Sequence, residues 1–306
     1  MSDPVRHFLS IADLEAAELE RLLDEATALK RAPIPADAPL RGRTLAMVFE
    51  KPSLRTRLSF EIAMTQLGGQ ASYLSPQEVG LGRRESVSDV ARVVSRYVDA
   101  VVLRTFAHET TLEFAKYSSV PVINGLSELS HPCQGLADIF TIRERKGDLR
   151  KVIAAYVGDG NNVAHSLMLA ASKTGMTLRV ASPAGFEPLE HYRDLTAAAA
   201  QLSGAAISYT TDPRDAVDGA DVVYTDVWTS MGQEQEYERR RRAFAGFQVN
   251  HELLACAAPD AIVLHDLPAH RGEEITDEVL DGPQSAVFDQ AENRMHVEKA
   301  VLRWLV

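Results

Sequence analysis

The chain has 306 residues, 45% hydrophobic and 25% charged, which suits two α/β domains or one large unit with a sizeable core. Its 43 acidic and 32 basic side chains leave a formal charge of -11, which disfavours nucleic acid as a partner, since that affinity rests on phosphate neutralisation. No apolar run is long enough to span a membrane, the N-terminus lacks an apolar signal core, and Cys133 and Cys256 make no disulfide framework, so a cytoplasmic protein with no membrane partner is expected.

In chain order, an amphipathic helix follows Ser10, with Leu14, Leu19, Leu22 and Leu23 on its apolar face. Residues 44–50 read as a short apolar strand. The next helix, 54–67, takes its periodicity from Leu58, Ile62 and Leu67 and stops at Gly68 and Gly69. Strands at 71–74, 100–105 and 120–125 alternate with helices at 86–97 and 108–117, and a long helix covers 132–147. A second alternating series starts near 151, with strands at 206–210, 220–226 and 261–268 among its members. The last helix is expected to be capped by Asp289. Alternation with short connections implies mainly parallel sheets covered by helices on both faces. The fold class is α/β with two domains, 1–145 and 146–285, and a terminal segment, 286–306, expected to pack back on the first domain.

The chemistry gathers at strand ends. The stretch FEKPSLRTRLSFE (49–61) sets Lys51, Arg55 and Arg57 beside Ser53 and Thr56 at a strand-to-helix junction. Free amides of a first helical turn and the helix dipole favour an anion there, and Arg55 adds a bidentate clamp. The competing reading is an ordinary cap with surface arginines. The loop LGRRES (81–86) is either a flap over that anion or an exposed turn. Arg104 ends another strand, and His131, Pro132 and Gln134 open a helix after a third, so three strand ends offer polar groups to one crevice. VGDGNN (157–162) fails the dinucleotide pattern GxGxxG, which disfavours NAD, and its asparagines suit a small polar ligand. Asp226 and Ser230 lie at a further strand end, where an aspartate can receive an ammonium group. HDLPAHRG (265–272) supplies His265, Asp266 and Arg271, a metal or acid–base pair without a clear third ligand. Arg239–Arg242 read as a solvated helical face, Cys133 as a small packing residue, and Arg294, taken alone, as a surface salt bridge.

Taken together, FEKPSLRTRLSFE, LGRRES, HPCQGLAD, GDGNNVAHSL, DVWTSMG, HDLPAHRG and DGPQSAVFDQAENRMH resemble the aspartate/ornithine carbamoyltransferase family, in the family order and over most of residues 45–300. The SMG segment resembles the ornithine-using members. The resemblance implies transfer of a carbamoyl group from carbamoyl phosphate to ornithine, without cofactor, metal or covalent intermediate, in a homotrimer or a multiple of trimers. It implies that Ser53, the Leu54 backbone, Arg55 and Thr56 hold phosphate, that Arg104 shares the phosphate and the carbonyl oxygen, that His131 and Arg294 reach that oxygen, and that Gln134 receives the carbamoyl NH2. Asn162, Asp226, Ser230, Met231 and Leu267 fall on the ornithine side, with Asp266 beside the side-chain amine. The roles implied as catalytic are those of Arg55, Thr56, Arg104, His131, Asp266 and Arg294.

Two positions depart from the family pattern. Leu54 stands where STRT has its first threonine, a mild change if the backbone N–H is what matters. Asp266 replaces the cysteine of HCLP. A carboxylate there either favours the protonated ammonium, which helps binding and opposes attack, or accepts the amine proton as a base. Competing assignments are a carbamoyltransferase for another amine or modified amino acid and a non-catalytic relative that binds carbamoyl phosphate.

Overall fold

The computed structural model describes residues 5–82, 84–230, 232 and 234–306. The chain divides into two compact units, Met1–Ala137 with Asn293–Val306, and Asp138–Glu292. Among the described residues no helix is long and apolar enough to cross a membrane.

The first unit is built on four parallel strands: β1 (Thr44–Phe49), β2 (Gln70–Leu74), β3 (Ala100–Arg104) and β4 (Val122–Leu126), in the order β2-β1-β3-β4. β1 and β3 are central, and their runs TLAMVF and AVVLR are almost wholly buried, as a sheet covered on both faces requires. The β3–β4 register shifts between Leu103 and Arg104. Ser10 caps a short turn, Ile11–Asp13, and the first α-helix starts later, at Ala16.

Of the three residues expected to set the inner face of the helix Leu54–Gln66, Leu67 at its end is buried, whereas Leu58 and Ile62 face outward. Thr56, Phe60, Ala63 and Met64 are buried, whereas Leu54, Leu58 and Ile62 are 77%, 52% and 37% exposed. The buried set follows the i, i+4, i+7, i+8 spacing of a helix face and carries the aromatic ring, so both stripes are periodic. Rotation is set by Thr56, held inward by Ser53 and Arg294.

The second unit has five parallel strands: β5 (Ile153–Val157), β6 (Thr177–Ala181), β7 (Ala206–Thr210), β8 (Val222–Thr225) and β9 (Ile262–His265), in the order β7-β6-β5-β8-β9. The order reverses between β5 and β8, and the crevice past their carboxyl ends is where ligands bind in such sheets. Gly160 stands at this crevice for a steric reason. A Cβ there would lie 2.1 Å from the Pro188 nitrogen.

The arginine run does not form a solvated face throughout. Arg240 is 7% exposed and donates to Asp159 Oδ2 at 2.7 Å, to the Trp228 carbonyl at 3.0 Å and to Glu236 at 3.0 Å. Asp159 and the Trp228 carbonyl give the guanidinium buried acceptors, and the charge pairing outweighs solvation.

The final helix is Val287–Leu305, so Asp289 lies inside its first turn, not at its cap, where it still complements the helix dipole. Further along, the fully buried Lys299 ammonium donates to the carbonyls of Leu29 (3.1 Å) and Pro33 (3.3 Å) and to Gln66 Oε1 (2.9 Å). This ties the last turns to two other helical segments of the first unit. Lys299→Ala leaves those acceptors buried and unpaired, and is expected to cost roughly 2–3 kcal/mol in urea unfolding.

Candidate functional site

At the carboxyl end of the first sheet, Ser53 caps the helix that follows β1. Thr56 N–H donates to Ser53 Oγ at 3.3 Å, and the Ser53 hydroxyl donates to Thr56 Oγ1 at 3.0 Å. Arg294, 3% exposed, donates from Nη2 to the same Thr56 oxygen at 2.7 Å. Leu54 extends outward, so that position offers the helix N-terminus only its backbone. Arg55 is half-buried. Of the three cations in the opening motif, Lys51 turns inward, while Arg57 turns outward to Glu61 (2.9 Å) and the Tyr73 ring.

Arg104 ends β3 at 6% exposure, and the two neighbouring strand ends are locked by Glu50 N–H to the Arg104 carbonyl at 2.7 Å and Phe106 N–H to Glu50 at 2.8 Å. His131 and Gln134 are each 1% exposed at the start of the helix Pro132–Lys146. Asn124 and Ser127 grip the preceding carbonyl, Ser130 O, and so fix the entry of the chain into that helix.

Electrostatics identify what this cradle wants. Burial, and then the charges of Arg294, Arg104, Lys51 and Arg55, hold the His131 imidazole well below its ordinary pKa, so it is neutral at pH 7. Burial and Arg104 push the Lys51 ammonium down to about 8. Cations crowded around a neutral imidazole, beside a helix N-terminus, favour a multiply charged anion with a polar oxygen to spare for His131. Lys51 was visible in the sequence as part of the basic cluster, yet nothing in its spacing distinguished it from Arg57.

The crevice of the second unit carries the opposite charge. Asp226 and Asp266 follow β8 and β9, whose last residues, Thr225 and His265, are paired in register. Asn161 caps the helix Asn162–Thr174 by accepting from Val163 and Ala164, and donates from Nδ2 to Asp226 Oδ2 at 2.8 Å. Asn161 therefore orients Asp226, a role that the motif suggested only for an asparagine in general. Burial and the neighbouring Asp266 charge raise the Asp226 carboxyl to about 7, against the opposing influence of His265, Asn161 and the Val227 N–H. Ser230 is half-buried in the loop after β8. Met231 lies outside the described residues.

The HDLP segment is braced from behind. His265 Nδ1 accepts from Leu267 N–H at 2.8 Å, so Nε2 carries the proton and donates to Glu274 Oε1 at 2.9 Å; both side chains are fully buried. Leu267 has φ 62° and precedes a cis proline, Pro268. The brace explains how adjacent His265 and Asp266 serve different surroundings. Arg271 belongs to neither; it is an exposed residue paired with Asp277 and Asp281 at 2.6 Å each. His270, Glu273 and Glu274 bring donor atoms within 4.8 Å of one another, but Glu274 Oε1 is already engaged by His265 and by the His270 N–H. The described part of LGRRES is a turn in which Gly82 N–H meets the Glu85 carbonyl and Arg84 pairs with Glu85 on the surface; Arg83 lies outside the described residues.

Residues 6–144 match the description "Aspartate/ornithine carbamoyltransferase, carbamoyl-P binding domain", and residues 150–305 match "Aspartate/ornithine carbamoyltransferase, Asp/Orn binding domain". The chain belongs to the aspartate/ornithine carbamoyltransferase family. It is 57% identical over 303 residues to the ornithine carbamoyltransferase of Acidothermus cellulolyticus, covering 99% of this chain and 97% of that one. The solved ornithine carbamoyltransferase of Pyrococcus furiosus is 51% identical, with a TM-score of 0.94 over 99% of this chain and 97% of its own. The anabolic ornithine carbamoyltransferase of Campylobacter jejuni has a TM-score of 0.94 at 42% identity, covering 98% of this chain and 99% of its own.

Two checks follow from the geometry of this family member. Arg240→Ala strands the buried Asp159 carboxylate and is expected to destabilise the second unit by roughly 3 kcal/mol in chemical denaturation, with Arg240→Ala/Asp159→Asn recovering part of the loss. The His131 ring nitrogens, followed by nitrogen-15 NMR, should show the neutral pattern down to pH 6.

Proposed function

We propose that the chain transfers the carbamoyl group of carbamoyl phosphate to the side-chain amine of L-ornithine, giving L-citrulline and phosphate. The observation that carries this is the cation cradle around neutral His131, in the segment matched by the carbamoyl-phosphate domain of the family. Relatives named ornithine carbamoyltransferase match nearly the full length, which supports ornithine as the acceptor.

In this reading the helix amides after Ser53, with Arg55 and Thr56, hold the phosphate and Arg104 spans phosphate and carbonyl. Gln134 takes the carbamoyl NH2. The neutral amine attacks the carbonyl carbon, negative charge grows on the oxygen, and Thr56, Arg104, His131 and Arg294 stabilise it. His131 serves as a neutral hydrogen-bond donor, as its depressed pKa requires. Phosphate then leaves into the cradle. Asn162, Asp226, Ser230 and Met231 hold the backbone groups of ornithine, the last through its main chain. Asp266 and Leu267 lie on its side-chain side, and Asn161 keeps Asp226 in place. No metal or cofactor enters this account. Arg104→Gln is expected to lower turnover about 100-fold, read as phosphate release with citrulline detection.

The Asp226–Asp266 pair retains a proton up to about neutrality. An arriving ammonium displaces it, so ornithine affinity should rise as pH climbs through 7. Burial is the larger cause of the raised Asp226 pKa and Asp266 adds to it, so Asp266→Cys is expected to move that rise part of the way to lower pH. Unchanged pH dependence and affinity in the variant would exclude this role for Asp266. The decisive assay offers ornithine, lysine, putrescine, N-acetylornithine and aspartate over pH 6–10. Selective citrulline formation supports the proposal, turnover only with another amine reassigns the acceptor, and binding without turnover marks a non-catalytic relative.

Assembly as a homotrimer is supported by the exposed stripe Leu54, Leu58 and Ile62, one apolar face in need of a cover. A second copy is the occupant that the family resemblance implies. A place in arginine biosynthesis is supported by relatives named as anabolic enzymes. A cytoplasmic setting is supported by two free cysteines.

A further inference from the structure

One carboxylate near the donor cradle has no part in the mechanism above. Glu298 is fully buried, one helical turn beyond Arg294 on the terminal helix, with its Oε1 3.8 Å from Arg294 Nη2. The same guanidinium nitrogen donates to Thr56 Oγ1 at 2.7 Å. Arg294 therefore faces both the Thr56 hydroxyl at the helix N-terminus and the buried Glu298 carboxyl. We propose that Glu298 is a positioning residue for the donor site: ionised, it draws back the Arg294 guanidinium and offsets its charge, and neutral, it leaves that charge to Thr56 and the bound donor.

The surroundings fit such a role. The helix Leu54–Gln66 presents the Ser59 hydroxyl to Glu298, the helix Pro132–Lys146 presents the Cys133 thiol, and its own helix presents Arg294. The adjacent Lys299 spends its ammonium on Leu29, Pro33 and Gln66. Among the described residues, Arg294 is the positive charge that acts on Glu298, and burial outweighs it, raising the carboxyl to about 8. Below that pH Glu298 is neutral and Arg294 carries its whole charge into the cradle. Above it the pair approaches neutrality. A dianion bound beside Arg294 repels the ionised form, so donor binding near pH 8 takes up a fraction of a proton at Glu298.

This inference rests on the reading of Arg294 as a donor-site residue, and the experiment separates the two. The Michaelis constant for carbamoyl phosphate is measured from pH 7 to 9 in the full-length protein and in Glu298→Gln, which fixes the neutral form at almost the same volume. In the wild type the constant is expected to rise roughly three- to tenfold across that window, and in the variant to stay flat near its low-pH value. Calorimetry of inorganic phosphate binding at pH 8 in two buffers of different ionisation enthalpy should give a smaller proton uptake for the variant. Lys51, His131 and the phosphate itself also exchange protons, but they are common to both proteins and cancel in the difference. An equal rise and equal uptake in Glu298→Gln would overturn the proposal. Glu298→Leu serves as a second neutral variant, with thermal unfolding of both as the check on folding. If Arg294→Gln leaves the donor constant unchanged at pH 7, the donor-site reading fails and this inference fails with it.

Discussion

The first unit has to hold like charges together before any substrate arrives. Lys51, Arg55, Arg104 and Arg294 converge on one imidazole, and each is partly or almost wholly removed from water. Mutual repulsion at low effective dielectric works against the folded state and must be offset elsewhere. The apolar central strands, the Ser53–Thr56–Arg294 hydrogen bonds and the buried Lys299 staple supply the rigid frame that resists it. An anion placed among these cations relieves that cost. A site preorganised in this way reorganises little as negative charge moves during the reaction.

The two units divide the electrostatic labour. One keeps cations near a neutral histidine; the other keeps carboxylates near a braced, buried His265–Glu274 pair. Both use the same architectural device, side chains placed just past the carboxyl ends of parallel strands. Opposite-sign wells of this kind admit two differently charged small molecules to one enzyme. Overall acidity is compatible with this because a local focus, not net charge, governs each site.

The sequence exposed much of this fold. Alternating apolar strands and helices are strong periodic signals, and both sheets follow them. Rotation of a helix is a weaker signal: two periodic stripes compete on Leu54–Gln66, and the tertiary bond from Arg294, 238 residues away, decides between them. The arginine run illustrates the same limit, since Arg240 finds its acceptor 81 residues away. At the site, spacing disclosed the anion-binding turn and the strand-end residues. Resemblance to a family supplied their roles. Neither disclosed Glu298, whose importance depends on depth and on a neighbour one turn away, or Asn161, whose grip on Asp226 exists only after β5 and β8 pair.

Asp266 has a consequence for chemical durability. With a carboxylate in place of the family cysteine, position 266 presents no thiol to peroxide, alkylating reagents or soft metal ions. Cys133 is fully buried and its thiol is held far above the ordinary range by burial, so it supplies no thiolate. Cys256, half-buried beside the helix His251–Leu254, is the remaining sulfhydryl, and Arg214 donates to it at 3.7 Å. Oxidative inactivation through an active-site thiol is therefore closed to this protein, and a thiol-directed fluorophore has a single accessible point of attachment, in the second unit.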